Sequence, residues 1–172
     1  MIKSFKSYTS FILQEETDTK TGNYISVGCQ LPTLDDIKFI SGKATKDAHI
    51  TIMYSKDTSV EPKEILLYMN DHIKNHGVGV ITAAKLYGEE DAALVLELDA
   101  PKLHSIHHHL AGLFQLKHSY DSYSPHVTIQ YDMDKDEAEY WVNWINTRSE
   151  LPGSFLFYNK FSSETIKEDW NE

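Results

Sequence analysis

Apolar residues alternate with polar ones in several short segments of the chain, which predicts β-strands. These segments are rich in β-branched and aromatic residues, and turn-forming residues bound them. They cover residues 24–31, 48–54, 78–87, 92–98 and 155–161. The third and fourth flank residues 88–91 (GEED), so we expect a hairpin there. Residues 33–42 are ambiguous, because a helical turn or two also fits them.

Three further segments place apolar residues at helical spacing. The first predicted helix covers residues 61–76, and Gly77 follows it as a C-cap. The second covers residues 101–117. The third begins at a capping box formed by Asp134 and Glu137. Strands and helices therefore mix along the chain, and we predict an α+β fold.

Two strand segments are near-copies of each other. Residues 49–54 read HITIMY and residues 126–131 read HVTIQY, 77 positions apart. Because strand side chains alternate between faces, the His and Thr of each copy point to one face and the apolar residues between them point to the other. The same alternation predicts that Tyr54 and Tyr131 point away from the His and Thr side chains. The repeat indicates two related halves, each with one imidazole beside one hydroxyl.

The repeated His and Thr side chains are our candidate catalytic residues. Histidine titrates near neutral pH, so one of His49 and His126 can take a proton while the other donates one. The hydroxyls of Thr51 and Thr128 can donate hydrogen bonds to phosphate oxygens where charge develops. This equipment suits acid–base chemistry on a phosphate. The sequence leaves open which histidine is the base.

Composition narrows the class of protein. A chain of 172 residues suits one domain, residues 1–172. Its formal net charge of −10 argues against a groove for long nucleic acid. No apolar run is long enough for a membrane span, so we expect no membrane partner. Cys29 is the only cysteine, which excludes an internal disulfide and a multi-cysteine zinc site.

A histidine-rich stretch of the second predicted helix suggests an alternative, a metal site. His104 and His108 are four residues apart, a spacing that can bind zinc on a helix. No suitably spaced third ligand is evident, so we expect these residues, with His107 and His109, to form a solvated helix surface. We predict no metal and no cofactor.

The two His-x-Thr segments resemble the paired motifs of the 2H phosphoesterase superfamily. That resemblance implies a bilobal 2H phosphoesterase (LigT-like) fold, with two antiparallel sheets around a central cleft and helices outside. It also implies a metal-independent phosphodiesterase. Its catalytic residues would be His49, Thr51, His126 and Thr128.

Within the superfamily, the chain most resembles the phage anti-CBASS cyclic-nucleotide phosphodiesterases, which are small and acidic. The resemblance implies that residues 162–172 form a lid on which Glu164 and Trp170 bind the nucleotide. Docking of Trp170 on the protein's own surface or on a neighbouring subunit is the alternative. An N-terminal aromatic should stack on the substrate, with Tyr8 as the candidate and Phe11 as the reserve.

The function implied is hydrolysis of the 3′–5′ bonds of cyclic di- or trinucleotide signals, in the cytoplasm of an infected bacterial host. One alternative is a 2′,3′-cyclic phosphodiesterase or an enzyme that processes 2′–5′ RNA ends. A second is a sponge that binds cyclic nucleotides without cleaving them. Base preference, ring size and oligomeric state stay open at this point.

Overall fold

The computed structural model describes residues 22–57, 59–88, 92–120 and 122–166. Within these ranges it contains seven strands and three helices. The strands are β1 (Asn23–Cys29), β2 (Lys43–Ala44), β3 (His49–Ser55), β4 (Gly77–Tyr87), β5 (Ala92–Asp99), β6 (His126–Met133) and β7 (Phe155–Thr165). The helices are α1 (Pro62–His72), α2 (Pro101–Phe114) and α3 (Lys135–Arg148). Tyr8, Phe11 and Trp170 lie outside the described residues.

All strand pairs are antiparallel, in the order β2-β6-β3-β1-β7-β4-β5. Strand β5 also pairs with β6, so six of the strands form a closed ring of pairings. The two motif strands, β3 and β6, register at one pair only, Ile50 with Val127. The expected division into two sheets around a cleft stays a prediction, and this single pair is the narrowest junction of the ring.

The apolar face of the ring forms the core. Ile50 and Ile52 of β3 are fully buried there, and so is Val127 of β6. Apolar residues of all three helices belong to the same core, among them Ile65, Leu110 and Ile145. Burial of this face, at roughly 25 cal/mol per Å² of apolar surface, holds the helices on one side of the motif strands. The opposite side is left for the polar residues of the repeat.

Apart from β2, which the pattern does not predict, the strands and helices are those predicted, but two helices end early. Helix α1 ends at His72, since Ile73 is already extended. The prediction that Gly77 caps this helix is wrong, because Gly77 begins β4 and its missing side chain leaves room for the ring of Tyr158. Helix α2 ends at Phe114 because Gln115 adopts a left-handed conformation, with φ of 54°. Residues 33–42 contain a turn and no helix.

Half of the predicted capping box is confirmed. The Asp134 carboxylate accepts hydrogen bonds from the backbone N–H groups of Asp136 and Glu137, as an N-cap does. The Glu137 carboxylate does not return to the Asp134 backbone. It accepts instead from the backbone N–H groups of Ile40 and Ser41, at 2.6 and 2.8 Å, and so ties the loop before β2 to helix α3.

The last strand is longer than the sequence pattern indicates. Strand β7 continues to Thr165 and pairs with β1, with Ser162 opposite Ser26 and Glu164 opposite Tyr24. Residues 162–165 therefore belong to the sheet, although the sequence pattern predicts that the strand ends at residue 161. Residues 167–172 lie outside the described ranges, so a lid formed by them stays a prediction.

Candidate active site

The junction of the two motif strands brings the four candidate catalytic residues together. Ile50 and Val127 pair in antiparallel register. One residue to either side, this register aligns His49 with Thr128 and Thr51 with His126, on the face opposite the core. From this register we expect each imidazole to lie alongside the hydroxyl of the other motif. We call this side of the ring, defined by these four residues, the His/Thr face.

Both imidazoles are held in the same way. Nδ1 of His49 is 2.8 Å from the backbone carbonyl oxygen of Asp47, and Nδ1 of His126 is 2.8 Å from that of Ser124. A carbonyl oxygen only accepts, so Nδ1 is the protonated nitrogen in both rings. Nε2 is therefore the nitrogen that can exchange a proton with a substrate. The backbone two residues before each histidine orients its ring.

A β-bulge occurs at the same place in each motif. The extra residue is Ile52 in β3, opposite β1, and Ile129 in β6, opposite β5. A bulge adds one residue and shifts the alternation of side chains that follow it. The prediction that Tyr54 and Tyr131 point away from the His and Thr side chains is therefore wrong, because the shift turns them to the His/Thr face.

The tyrosine on β1 reaches into this site, and sequence reasoning missed it. Tyr24 pairs with Tyr54, and their rings are 6.2 Å apart. The Tyr24 hydroxyl oxygen is 2.7 Å from Nε2 of His49 and 2.7 Å from Oγ1 of Thr51. It thus bridges the two functional groups of the first motif. No signal in the sequence relates Tyr24 to residues 49–51, because only the pairing of β1 with β3 brings them together.

The second histidine has a charged neighbourhood instead. Glu97 is opposite His126 in the pairing of β5 with β6. The Glu97 carboxylate accepts a hydrogen bond from the Tyr87 hydroxyl at 3.3 Å and lies 2.9 Å from Nζ of Lys85. The Tyr87 ring contacts the His126 ring edge-on, with centroids 4.7 Å apart. Sequence reasoning missed these three residues as well.

Several effects act on the pKa of His126, which is lowered from its usual value. Burial is the largest cause, because it disfavours the charged imidazolium. The hydrogen bond to the Ser124 carbonyl and the negative charge of Glu97 oppose this shift, while the nearby His49 adds to it. The two imidazoles are thus close enough to interact electrostatically, and the neutral form of His126 is favoured near pH 7.

Comparison with known proteins assigns the chain to a protein family. The family model of the anti-CBASS protein Acb1 matches residues 30–172. The chain belongs to this family. Among curated proteins, none matches the chain. Membership of the anti-CBASS family implies evasion of the bacterial CBASS defence and interaction with its cyclic nucleotide signals. The matched region includes both His-x-Thr motifs and Glu164, but Tyr8 and Tyr24 precede it.

The structure places Glu164, which the sequence resemblance predicts as a binding residue, on the His/Thr face. Its strand partner is Tyr24, and directly opposed residues of a sheet share a face. The Glu164 side chain is exposed and accepts a hydrogen bond from the Ser162 hydroxyl at 3.0 Å. Tyr8 and Trp170, the other two predicted binding residues, lie outside the described residues.

An exposed aromatic surface lies on the same face. Gly28 of β1 pairs with His49 on one side and with Asn159 of β7 on the other, so these three residues form a row across the sheet. Phe157 and Phe155 alternate with buried residues below Asn159 and share its face. They are 63% and 65% exposed. Strand spacing and rise place Phe157 about 12 Å from His49, measured between Cα atoms.

Two aromatic side chains from outside the sheet donate hydrogen bonds to the backbone of the first motif. Because β3 and β6 register at one pair, other carbonyl groups on that edge of β3 need different partners. The Tyr123 hydroxyl donates to the Thr51 carbonyl at 3.1 Å, and Nδ1 of His107 donates to the Ile52 carbonyl at 2.7 Å. The His107 and Tyr123 rings stack, with centroids 4.2 Å apart. These contacts hold the bulged segment of the strand.

The histidines of this region correct a prediction about helix α2. His107 is 7% exposed, so the expectation that it belongs to a solvated surface is wrong. Next to it, Nδ1 of His118 accepts a hydrogen bond from the Tyr54 backbone N–H at 3.3 Å. Burial, together with the neighbouring His107, lowers the pKa of His118 to about 4. Both imidazoles therefore act as neutral structural groups near pH 7.

Among the described residues, no group of three or more histidine, cysteine or carboxylate side chains is placed to hold a metal ion. His104 instead contacts the Tyr123 ring, and His109 is hydrogen-bonded to the Tyr68 hydroxyl at 2.7 Å. In the part of the chain that the structure describes, no helix is long and apolar enough to cross a membrane.

Proposed function

We propose that the protein is a 2H phosphoesterase that hydrolyses the 3′–5′ bonds of cyclic di- or trinucleotides, and that it evades CBASS by destroying these signals. One observation carries the proposal. Two imidazoles, each held at Nδ1 by a backbone carbonyl 2.8 Å away, offer Nε2 on one face, beside two hydroxyls. This is the arrangement that a metal-independent transfer of two protons requires.

The reaction that we propose has two steps. A neutral imidazole takes the proton of the ribose 2′-hydroxyl, and the 2′-oxygen attacks the adjacent 3′ phosphorus. The bond from phosphorus to the 5′-oxygen breaks, and the second imidazole donates its proton to that oxygen. Thr51 and Thr128 donate hydrogen bonds to the non-bridging oxygens. Water then opens the resulting 2′,3′-cyclic phosphate with the two imidazole roles reversed.

The surroundings of the site favour a small nucleotide over a long RNA. A net charge of −10 opposes the binding of a long phosphate backbone, whereas two phosphates need only local donors. The exposed rings of Phe155 and Phe157 suit stacking on nucleobases, because a base and an aromatic ring both present a π-face. Membership of the anti-CBASS family supports cyclic oligonucleotides in particular.

The test is an incubation of the purified protein with a panel of cyclic di- and trinucleotides in excess EDTA. Chromatography and mass spectrometry then identify the products. We expect linear products with a terminal 2′,3′-cyclic phosphate or 3′ phosphate from the wild type, and about 10²- to 10⁴-fold slower product formation by His49→Ala or His126→Ala. Turnover that EDTA abolishes would contradict the metal-independent reaction.

Two other outcomes of this incubation would favour a different function. Tight binding without products would support the sponge, in which the two histidines have no catalytic role. If the protein neither binds nor cleaves any member of the panel, RNA ends with 2′,3′-cyclic phosphates become the substrates to assay next.

A further inference from the structure

The Tyr24 hydroxyl allows only certain arrangements of protons around it. Its oxygen is 2.7 Å from both Nε2 of His49 and Oγ1 of Thr51, and Nδ1 of His49 is already the donor to the Asp47 carbonyl. In neutral His49, Nε2 can therefore only accept, so the phenol donates its one proton to the imidazole. The Thr51 hydroxyl then donates to the Tyr24 oxygen.

Protonation of His49 reverses the direction of both hydrogen bonds. Nε2 of the imidazolium is a donor, and it donates to the Tyr24 oxygen until the leaving 5′-oxygen of the substrate takes that proton. The phenol then turns its own proton to Oγ1 of Thr51. The Thr51 hydroxyl proton is released from this contact and can be donated to a phosphate oxygen. The hydroxyl is thus a donor to substrate when His49 carries the proton that a leaving group needs.

We propose that Tyr24 is a positioning residue that couples the proton on His49 to the hydrogen-bond direction of Thr51. It follows that His49 is the acid of the first step and His126 the base. This inference rests on the proposed phosphodiesterase function, and it assigns the two histidine roles that the repeated motif leaves open.

The second half of the site has no equivalent relay among the described residues. The hydroxyl of Tyr87 donates to the Glu97 carboxylate, and the Tyr87 ring meets the imidazole of His126 edge-on rather than through its oxygen. Nε2 of His126 is thus left to accept a proton from the substrate 2′-hydroxyl. Burial of His126, which lowers its pKa, also favours the neutral form that a base requires.

The experiment compares two substrates that differ in the leaving group. One is a dinucleoside 3′–5′ monophosphate, whose 5′-alkoxide leaving group needs a proton. The other is the matching nucleoside 3′-(4-nitrophenyl phosphate), whose 4-nitrophenolate leaves without one. Rates of the wild type, His49→Ala, His126→Ala and Tyr24→Phe are measured on both. The matched control is Tyr158→Phe, which removes a buried hydroxyl of β7 that has no hydrogen-bond partner within the described ranges.

On the dinucleotide, we expect Tyr24→Phe to lower kcat by roughly 10- to 100-fold, the effect of one hydrogen bond to a charged group. The 4-nitrophenyl substrate should restore most of the rate of Tyr24→Phe and His49→Ala. It should not rescue His126→Ala, because the 2′-hydroxyl still needs a base. Tyr158→Phe should match the wild type on both substrates.

Three results would overturn the proposal. Tyr24→Phe indistinguishable from Tyr158→Phe removes any role for the phenol. Equal losses of Tyr24→Phe on both substrates indicate a structural role alone. Rescue of His126→Ala in place of His49→Ala reverses the assigned roles.

If the wild type cleaves neither these substrates nor the cyclic nucleotide panel, the proposed function itself fails. The coupling is then decided by ¹⁵N NMR of the imidazoles. A change in the His49 Nε2 signal that occurs in Tyr24→Phe and not in Tyr158→Phe supports it. An unchanged signal overturns it.

Discussion

The two halves of the site share a motif but not a chemical environment. The residue opposite His49 across the sheet is Gly28, whereas the residue opposite His126 is Glu97. In the first half the contact to Nε2 is a phenol, and in the second half a carboxylate lies beside the ring. The difference shows that a repeated motif supplies two equal imidazoles, and that the neighbouring strands β1 and β5 make them unequal.

The backbone of each motif is also supported differently. The carbonyl groups of Thr51 and Ile52 accept hydrogen bonds from the side chains of Tyr123 and His107. The corresponding carbonyl groups of Thr128 and Ile129 both accept from one residue, Thr45, through its hydroxyl and its backbone N–H, at 2.8 and 3.2 Å. The first motif therefore depends on two aromatic rings from other segments, and the second on the hydroxyl and backbone N–H of Thr45.

The largest expected effect is the loss of turnover when the histidine of either half is replaced. His49→Ala and His126→Ala should each lower kcat by about 10²- to 10⁴-fold, because each removes one acid–base group. The double variant should be little slower than either single variant, since groups that act as a unit are not additive. Single-turnover kinetics on a cyclic dinucleotide measures this, and circular dichroism checks the fold. A single variant with normal turnover would contradict the paired mechanism.

Removal of the exposed aromatic surface near the first half should weaken binding. Stacking of a base on an aromatic ring contributes about 1–3 kcal/mol. Phe157→Ala should therefore raise KM by roughly 5- to 150-fold with a smaller change in kcat. The control is Leu67→Ala, which removes an exposed apolar side chain of α1. Equal KM values for the two variants would show that Phe157 does not contact the substrate.

Neutralisation of the Glu97 carboxylate should change the pKa of His126, the histidine of the second half. The charge of Glu97 raises the pKa of His126, so Glu97→Gln should lower that pKa further. If His126 is the base, it then stays neutral to lower pH, and the acid limb of the kcat/KM profile moves to lower pH. Asp132→Asn is the matched control, an exposed carboxylate at the far end of β6. A limb that does not move, or that moves upward, would show that Glu97 does not act on the base.

The smallest expected effect concerns stability rather than turnover. His118 has a pKa of about 4 in the folded protein, below the usual value of about 6.5. Between pH of about 4 and about 6.5 the unfolded chain therefore binds more protons than the folded protein. The free energy of unfolding should fall as the pH decreases through this range. Thermal melts of the wild type and His118→Asn across this range measure the difference. An equally steep loss of stability in the variant would exclude His118 as a cause.

Much of the fold could be predicted from local pattern. The longer strands, the antiparallel pairing of β4 with β5 and the N-cap at Asp134 follow from alternation and turn chemistry, because these depend on residues close in sequence. Helix ends follow less well from local pattern. Gln115 adopts a left-handed conformation that its residue type does not favour. Gly77 is needed because a side chain there would collide with the ring of Tyr158, which is 81 positions away.

The sequence by itself determined the four repeated side chains and their common face. Period-two alternation is a local property of a strand, so His49 and Thr51 share a side in any fold that extends this segment. The same holds for His126 and Thr128. The chemistry of two imidazoles and two hydroxyls can therefore be predicted without knowledge of any tertiary contact.

Only the tertiary structure decided how those groups differ. Tyr24 reaches His49 because β1 pairs with β3, and Glu97 reaches His126 because β5 pairs with β6. The bulges that turn Tyr54 to the His/Thr face arise in the same pairings. A proton's preferred site depends on charge, burial and hydrogen bonds from distant segments, and these exist only once the strands are assembled.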